Sequence, residues 1–167
     1  VMRTFLFPAA LVLAFSLASR PSAAQLPVDA ATGKTTFTDV VTLEGATAAQ
    51  LFARGQQWLK GLVGYKAIIK KEAKVKFEIA AQVTYTIFIA GKEAVVDFMC
   101  TLQCKDGRYK YTYTNFYLTW TGKTREAYES TTLVPKRDIW ESTSTKIKNF
   151  SDKMKAVIAA PGSEEKS

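Results

Sequence analysis

Two thiols stand four residues apart at Cys100 and Cys104, and the chain then runs through Lys-Asp-Gly into tyrosines interleaved with Arg108 and Lys110. Thiols so close together raise disulfide, redox or metal chemistry. Rings alternating with cations raise a nucleic-acid platform, where bases stack and phosphates meet positive charge. Spacing decides between these readings and simpler ones. On one extended strand, positions i and i+4 lie about 13 Å apart, whereas a disulfide needs Cα atoms within about 7 Å. Either Cys100 fills core space as a small apolar group and Cys104 ends the strand, or the two join across a kink as a disulfide or redox pair. Two sulfurs alone make a poor zinc site. Alternation also puts Tyr109, Tyr111 and Tyr113 on the face opposite Arg108 and Lys110. The rings therefore read as sheet core with hydroxyls at its rim, and the cations as a solvated face. No nucleic-acid partner is expected.

The chain contains no histidine, which removes Ser-His-Asp and Cys-His catalysis, histidine metal sites and the commonest general base. Carboxylate chemistry needs only two positioned acids, yet no pair among the 15 acidic residues stands on an apolar face. Glu78 and Asp97 take solvent-side strand positions. A glycine-rich phosphate loop, a nucleophile elbow and a dinucleotide fingerprint are all missing from the sequence. The expectation is a protein that is not an enzyme and carries no cofactor or metal.

The elements that position these residues follow from patterning. Residues 35–43, "TTFTDVVTL", are rich in β-branched side chains and read as a strand. Thr47 with Gln50 three positions on forms a capping box, and Leu51, Phe52, Trp58, Leu59 and Leu62 then fall on one side of a helix. Gly61 and Gly64 suit its end, and Gly55 inside it costs about 1 kcal/mol against alanine. Residues 65–71 form a short strand. From Val75 to Ile89 every odd position is apolar, a period-two run with one buried face. At about 3.3 Å per residue it would extend about 50 Å, so it is expected to bend or break near Ala80-Ala81.

After a turn at 90–93, Ala94, Val96, Phe98, Cys100, Leu102 and Cys104 share one face of the next strand. Asp106-Gly107 reads as a hairpin turn. Around Asn115 the parity slips to Phe116, Leu118 and Trp120, which predicts a bulge. From Asp138 to Ala159 the spacing of Trp140, Ile147, Phe150, Met154, Val157 and Ile158 predicts an amphipathic helix. The order is strand, helix, four mostly antiparallel strands, helix. An antiparallel sheet with one apolar face is covered by two amphipathic helices, giving a two-layer α+β domain with a curved sheet gripping its helices.

The N-terminal segment has Arg3 ahead of an apolar stretch from Phe5 to Leu17, then Ser22-Ala23-Ala24 before Gln25. This is the layout of a secretory signal peptide, with an apolar core too short to span a bilayer. The expected division is a signal peptide over 1–24, one domain over 25–160 and a disordered polar tail over 161–167. Cleavage removes Arg3 and Arg20, lowering the 23 basic side chains to 21 against 15 acidic, a net charge of +6. The product is expected to be periplasmic or secreted, and not transmembrane once cleaved.

With the export signal, the segment from Leu26-Pro27 through Trp58 and the hairpin "KDGRYKYTYTNF" in place, the chain resembles a known family. It is similar to uncharacterised exported domains of Bacteroidetes-type bacteria with a TATA-binding-protein-like (TBP-like) fold. The similarity spans about 26–159 and rests on the order and spacing of motifs: Leu51, Phe52, Arg54 and Trp58 on the helix, then Lys105 to Tyr109 at the hairpin. Where that family carries a glycine-containing turn between its second and third strands, this chain has "KKEAKVK". The resemblance implies a TBP-like, helix-grip type of fold and no activity. It does not imply DNA binding, since function lives in sites grafted on folds.

Two binding functions remain. Lys74, Lys76, Arg108 and Lys110 are candidates for an anion-binding patch on the outer sheet face, suiting a cell-envelope module that contacts a protein, a glycan or a lipid headgroup. Alternatively Phe77, Ile79, Tyr85, Tyr111 and Trp140 line a pocket between sheet and C-terminal helix, as in a carrier of a small apolar ligand.

Overall fold

Alternating strands with one greasy side must find cover, and in the computed structural model, which describes residues 26–130 and 136–160, two helices provide it. The expected signal at 1–24 and the tail from 161 lie outside the described residues. In chain order the elements are β1 (Phe37–Thr42), α1 (Ala48–Lys60), β2 (Lys66–Ala73), a 3₁₀ turn (Lys74–Lys76), β3 (Glu78–Ile89), β4 (Lys92–Lys105), β5 (Arg108–Trp120), β6 (Glu126–Ala127) and α2 (Lys136–Ala159). The strands form one antiparallel sheet in the order β1-β5-β4-β3-β2, with β6 pairing to β5 at Tyr117 and Leu118, beyond the stretch that β1 covers. Both helices pack on the same apolar face, and the other face is open.

The α1 start behaves as its capping box predicts. Thr47 Oγ1 accepts from Gln50 N, and Gln50 Oε1 accepts from Thr47 N. A third contact comes from far along the chain: Asp106 Oδ1 accepts from Ala48 N at 2.8 Å, and Gly107 N donates to Ala46 O. The Asp106-Gly107 turn thus closes the β4–β5 hairpin and also caps α1, with Gly107 at a φ of 73° that favours glycine. Midway along α1, Arg54 Nη1 donates to Ile158 O in the last turn of α2, where a cation meets the negative end of that helix's dipole.

Two expectations need correction. The alternating run does not form one strand from residue 75. A 3₁₀ turn spans Lys74–Lys76, Phe77 adopts a left-handed conformation (φ 48°, ψ 48°), and β3 begins only at Glu78. Val75 is 94% exposed. Phe77 does the work of the missing glycine, at a conformational cost of about 1–2 kcal/mol. Its ring packs edge-on against Phe52 at 6.0 Å, and its carbonyl accepts from Cys104 N at 2.9 Å, which offset that cost. The break therefore lies at 74–77; opposite Ala80-Ala81 only the pairing of β2 shifts, between Ile69 and Lys71. The second correction concerns α2. Its buried stripe is Ile139, Thr143, Ile147, Phe150, Ser151, Met154 and Ile158, while Trp140 is half-buried and Val157 is exposed.

The predicted bulge is present: between the pairs Asp97–Tyr117 and Met99–Thr114, Asn115 and Phe116 oppose Phe98 alone. Asn115 takes a φ of 55°, and Phe116 and Leu118 point inward beyond it.

Candidate functional site

Register brings outward side chains into rows across the open face. At its hairpin end one row runs Val40, Lys110, Gln103, Glu78, and the next runs Thr42, Arg108, Lys105. Lys76 joins them from the 3₁₀ turn. Lys76, Lys105, Arg108 and Lys110 rim a groove of about 410 Å³, whose wall also carries Val40, Glu78, Gln103 and Cys104. Of the predicted cations, Lys76, Arg108 and Lys110 meet here, while Lys74 does not line the groove. Lys105 was missed by sequence reasoning, although a signal existed. A two-residue turn sets its flanking positions face to face, so an outward Arg108 requires an outward Lys105.

None of these four cations forms an ion pair among the described residues. The one carboxylate in the wall is already engaged. Glu78 Oε1 accepts from Lys71 Nζ at 3.1 Å and Oε2 accepts from Gln103 Nε2 at 2.9 Å. The hydrogen bond from Gln103 first, then that from Lys71, holds its carboxyl below the usual carboxylate range. Farther along the face the rows are uncharged across β1, β5, β4 and β3: Thr38, Thr112, Thr101, Ala80, then Thr114, Met99, Gln82; on β2 the first of them ends in Lys71, which is paired with Glu78. Unpaired positive charge is thus densest at the hairpin end of the face, where four cations share one groove.

Near the bulge the open face holds a different cluster. Asp97, expected at a solvent-side position, is only 8% exposed. Arg125 clamps it with Nε to Oδ2 at 3.0 Å and Nη2 to Oδ1, Gln82 Nε2 donates to Oδ1 at 3.3 Å, and the guanidinium lies over the Tyr117 ring, 3.4 Å from its centroid. Sequence gave no sign of the pairing, because the two partners are 28 residues apart. Arg125→Ala is expected to cost about 1–3 kcal/mol, since a poorly hydrated carboxylate loses its partner. Removing Asp97 as well should return part of that loss. Urea denaturation of Arg125→Ala, Asp97→Ala and the double variant checks it; losses that simply add would mean the clamp carries no coupling.

The predicted apolar set does not surround a cavity among the described residues. Ile79, Tyr85 and Tyr111 are buried in the core and Phe77 and Trp140 are half-buried. Tyr85 packs edge-on between Tyr65 (5.7 Å) and Phe98 (6.1 Å), and Tyr111 stacks on Tyr113 at 4.9 Å. Both cysteines are buried and unbridged, and burial pushes each thiol up to about 12, leaving almost no thiolate near neutral pH. A larger groove of about 700 Å³ runs along the outside of α2 beside Val63 and Tyr65. Two of its acids are already paired within the helix, Glu141 with Arg137 and Asp152 with Lys148. Among the described residues no group of three or more Cys, Asp or Glu side chains is placed to hold a metal ion, and no helix is long and apolar enough to cross a membrane.

Residues 37–119 match a family described as a domain of unknown function (DUF4468) with TBP-like fold. Two solved structures share the fold over 81% of this chain, each at 18% identity. One is a DUF4468 family protein from Bacteroides ovatus, with a TM-score of 0.64 and 92% of its own chain covered. The other is a TBP-like protein from Parabacteroides distasonis, with a TM-score of 0.66 and 98% covered. No curated protein matches the chain.

Proposed function

We propose, from the premise that this chain carries a DUF4468 domain of TBP-like fold, that it is an exported, non-enzymatic binding module of the cell envelope. Its contact surface is the open face of the sheet, and its partner is a protein or an anionic envelope component. One observation carries the reading: Lys76, Lys105, Arg108 and Lys110 gather around a single groove and form no ion pair among the described residues. Like charges held together gain nothing for the fold, so their grouping is best accounted for by an anionic partner. The signal-like N-terminal sequence supports export, and the lack of histidine supports a role without acid–base catalysis. The alternative, a carrier of a small apolar ligand between the sheet and α2, is disfavoured by the ring packing around Tyr85 and Tyr111.

Reversing Lys76, Arg108 and Lys110 to glutamate together should weaken association with an envelope fraction at low salt by at least about tenfold, as roughly 1.4 kcal/mol or more of attraction is lost. The wild-type association should itself fall as salt rises. Co-sedimentation across a salt series measures both, and unchanged binding of the triple variant would refute the assignment of this face.

A further inference from the structure

We propose that the groove at the hairpin end takes a phosphorylated sugar, with the phosphoryl group among the cations and the sugar hydroxyls on Glu78 and Gln103. The inference rests on the reading of this face as a binding surface and names what the surface binds. Arg108 supplies a planar fork suited to two phosphate oxygens, and Lys76, Lys105 and Lys110 supply point charges around it. A site for a bare anion has no use for a carboxylate in its wall, yet Glu78 is fixed there from two sides, by Lys71 and by Gln103. Each bond uses one lone pair of its oxygen, so both oxygens keep acceptor capacity. Gln103 spends its amide N–H on Glu78 and keeps its carbonyl oxygen as an acceptor. Acceptors in a cationic groove match a ligand that is anionic at one end and carries hydroxyls at the other. Val40, 53% exposed on the same row, offers an apolar edge to the C–H side of a sugar ring.

Size and charge layout narrow the ligand further. A groove of about 410 Å³ lies in the range of small-ligand sites, about 300–1,000 Å³. A nucleic-acid strand presents phosphates at regular intervals and calls for cations along its track. Here the next rows across β1, β5, β4 and β3 are threonine, alanine, methionine and glutamine, and the cation that follows them on β2, Lys71, is already paired with Glu78, so a single phosphoryl group is the better match.

The test uses the purified chain in calorimetric titrations with glucose 1-phosphate, inorganic phosphate, glucose and a single-stranded oligonucleotide. Glucose 1-phosphate is expected to bind about tenfold tighter than phosphate, with no detectable binding of glucose. Arg108→Gln should abolish binding of both phosphates. Glu78→Gln should leave phosphate binding in place and erase the preference for the sugar phosphate. Circular dichroism checks that each variant folds. Equal affinity for phosphate and glucose 1-phosphate, a preference untouched by Glu78→Gln, or tighter binding of the oligonucleotide would each overturn the proposal. Envelope co-sedimentation separates this outcome from failure of the broader reading. If association depends on the cations but glucose 1-phosphate does not compete, the ligand is wrong and the surface stands. If wild-type protein does not associate at all, the surface reading itself falls. Competition by glucose 1-phosphate that equals capture on vesicles bearing a phosphorylated glycolipid supports the sugar phosphate from either source, whereas equal capture on phosphatidylglycerol vesicles reduces the groove to plain charge attraction and refutes it.

Discussion

Replacing Phe150 by alanine is expected to lower the free energy of unfolding by about 3–5 kcal/mol, a large part of the 5–15 kcal/mol typical of a domain. The ring is fully buried on α2 and meets four others: Trp58 of α1 at 4.7 Å, Tyr65 ahead of β2 at 4.9 Å, Tyr113 of β5 at 5.4 Å and Phe98 of β4 at 5.5 Å. It is the point at which both helices and the centre of the sheet touch. Three of the four contacts are edge-to-face, a geometry that adds to simple area burial, and the fourth is tilted. A cavity there cannot close without moving α2, which Lys155 ties to Asp39 of β1 at 2.9 Å and Tyr65 ties through its hydroxyl to Lys146 O at 3.2 Å. Phe150→Leu should lose less than about 1.5 kcal/mol, because volume is nearly conserved. Urea denaturation of the two variants measures the difference. A loss below about 1 kcal/mol for the alanine variant would show that the helix relaxes into the gap.

The second large effect lies at Gly55, where helix propensity alone points the wrong way. Alanine in a helix interior is favoured over glycine by about 1 kcal/mol. A Cβ added at Gly55, however, would sit 2.2 Å from Leu102 Cδ2 and 3.6 Å from Ile79 Cδ1. Both side chains are fully buried in the sheet beneath α1, so Leu102 has no free space into which to turn. Overpacking of about 1–3 kcal/mol should therefore exceed the propensity gain in Gly55→Ala. Gly55→Leu should be worse, at about 3 kcal/mol or more, since α1 must lift from the sheet. A double variant gives the sharper reading. Leu102→Ala alone should cost about 2–5 kcal/mol, and adding Gly55→Ala to it should recover stability instead of losing more. Additive losses in denaturant melts would place the strain elsewhere.

Most local elements were legible because their signals act between near neighbours. The capping box spans three residues, Asp106-Gly107 sets its own turn, and the parity slip at Asn115 records a bulge within one strand. Antiparallel order follows from those short turns. The same locality explains the misreading at 75–77. Val75 and Phe77 keep the odd-position apolar pattern, yet the chain reverses there because β2 must pair back onto β3, from Ala73–Glu78 to Lys66–Thr84. Nothing within the segment announces the turn; Phe52 and Cys104, distant in sequence, hold Phe77 in its left-handed conformation. Thr143 escaped the helical stripe for a related reason, since its hydroxyl is satisfied at 2.7 Å by Tyr128, which only folding brings near.

By itself, then, the sequence determined the α+β class, the element order, the inward tyrosines and the outward Arg108 and Lys110, because alternation fixes which way each strand residue points. Tertiary structure decided which outward residues become neighbours. Register across β1, β5, β4 and β3 set Lys105 beside Arg108 and Glu78 beside Gln103, and the 3₁₀ turn brought in Lys76 while leaving Lys74 out. It likewise joined Asp97 to Arg125 and packed Gly55 on Leu102. The physical reason is the same in each case: a side chain's direction is a property of its own strand or helix, whereas its partners depend on how separate elements slide and stack, and that is fixed only when the whole core closes.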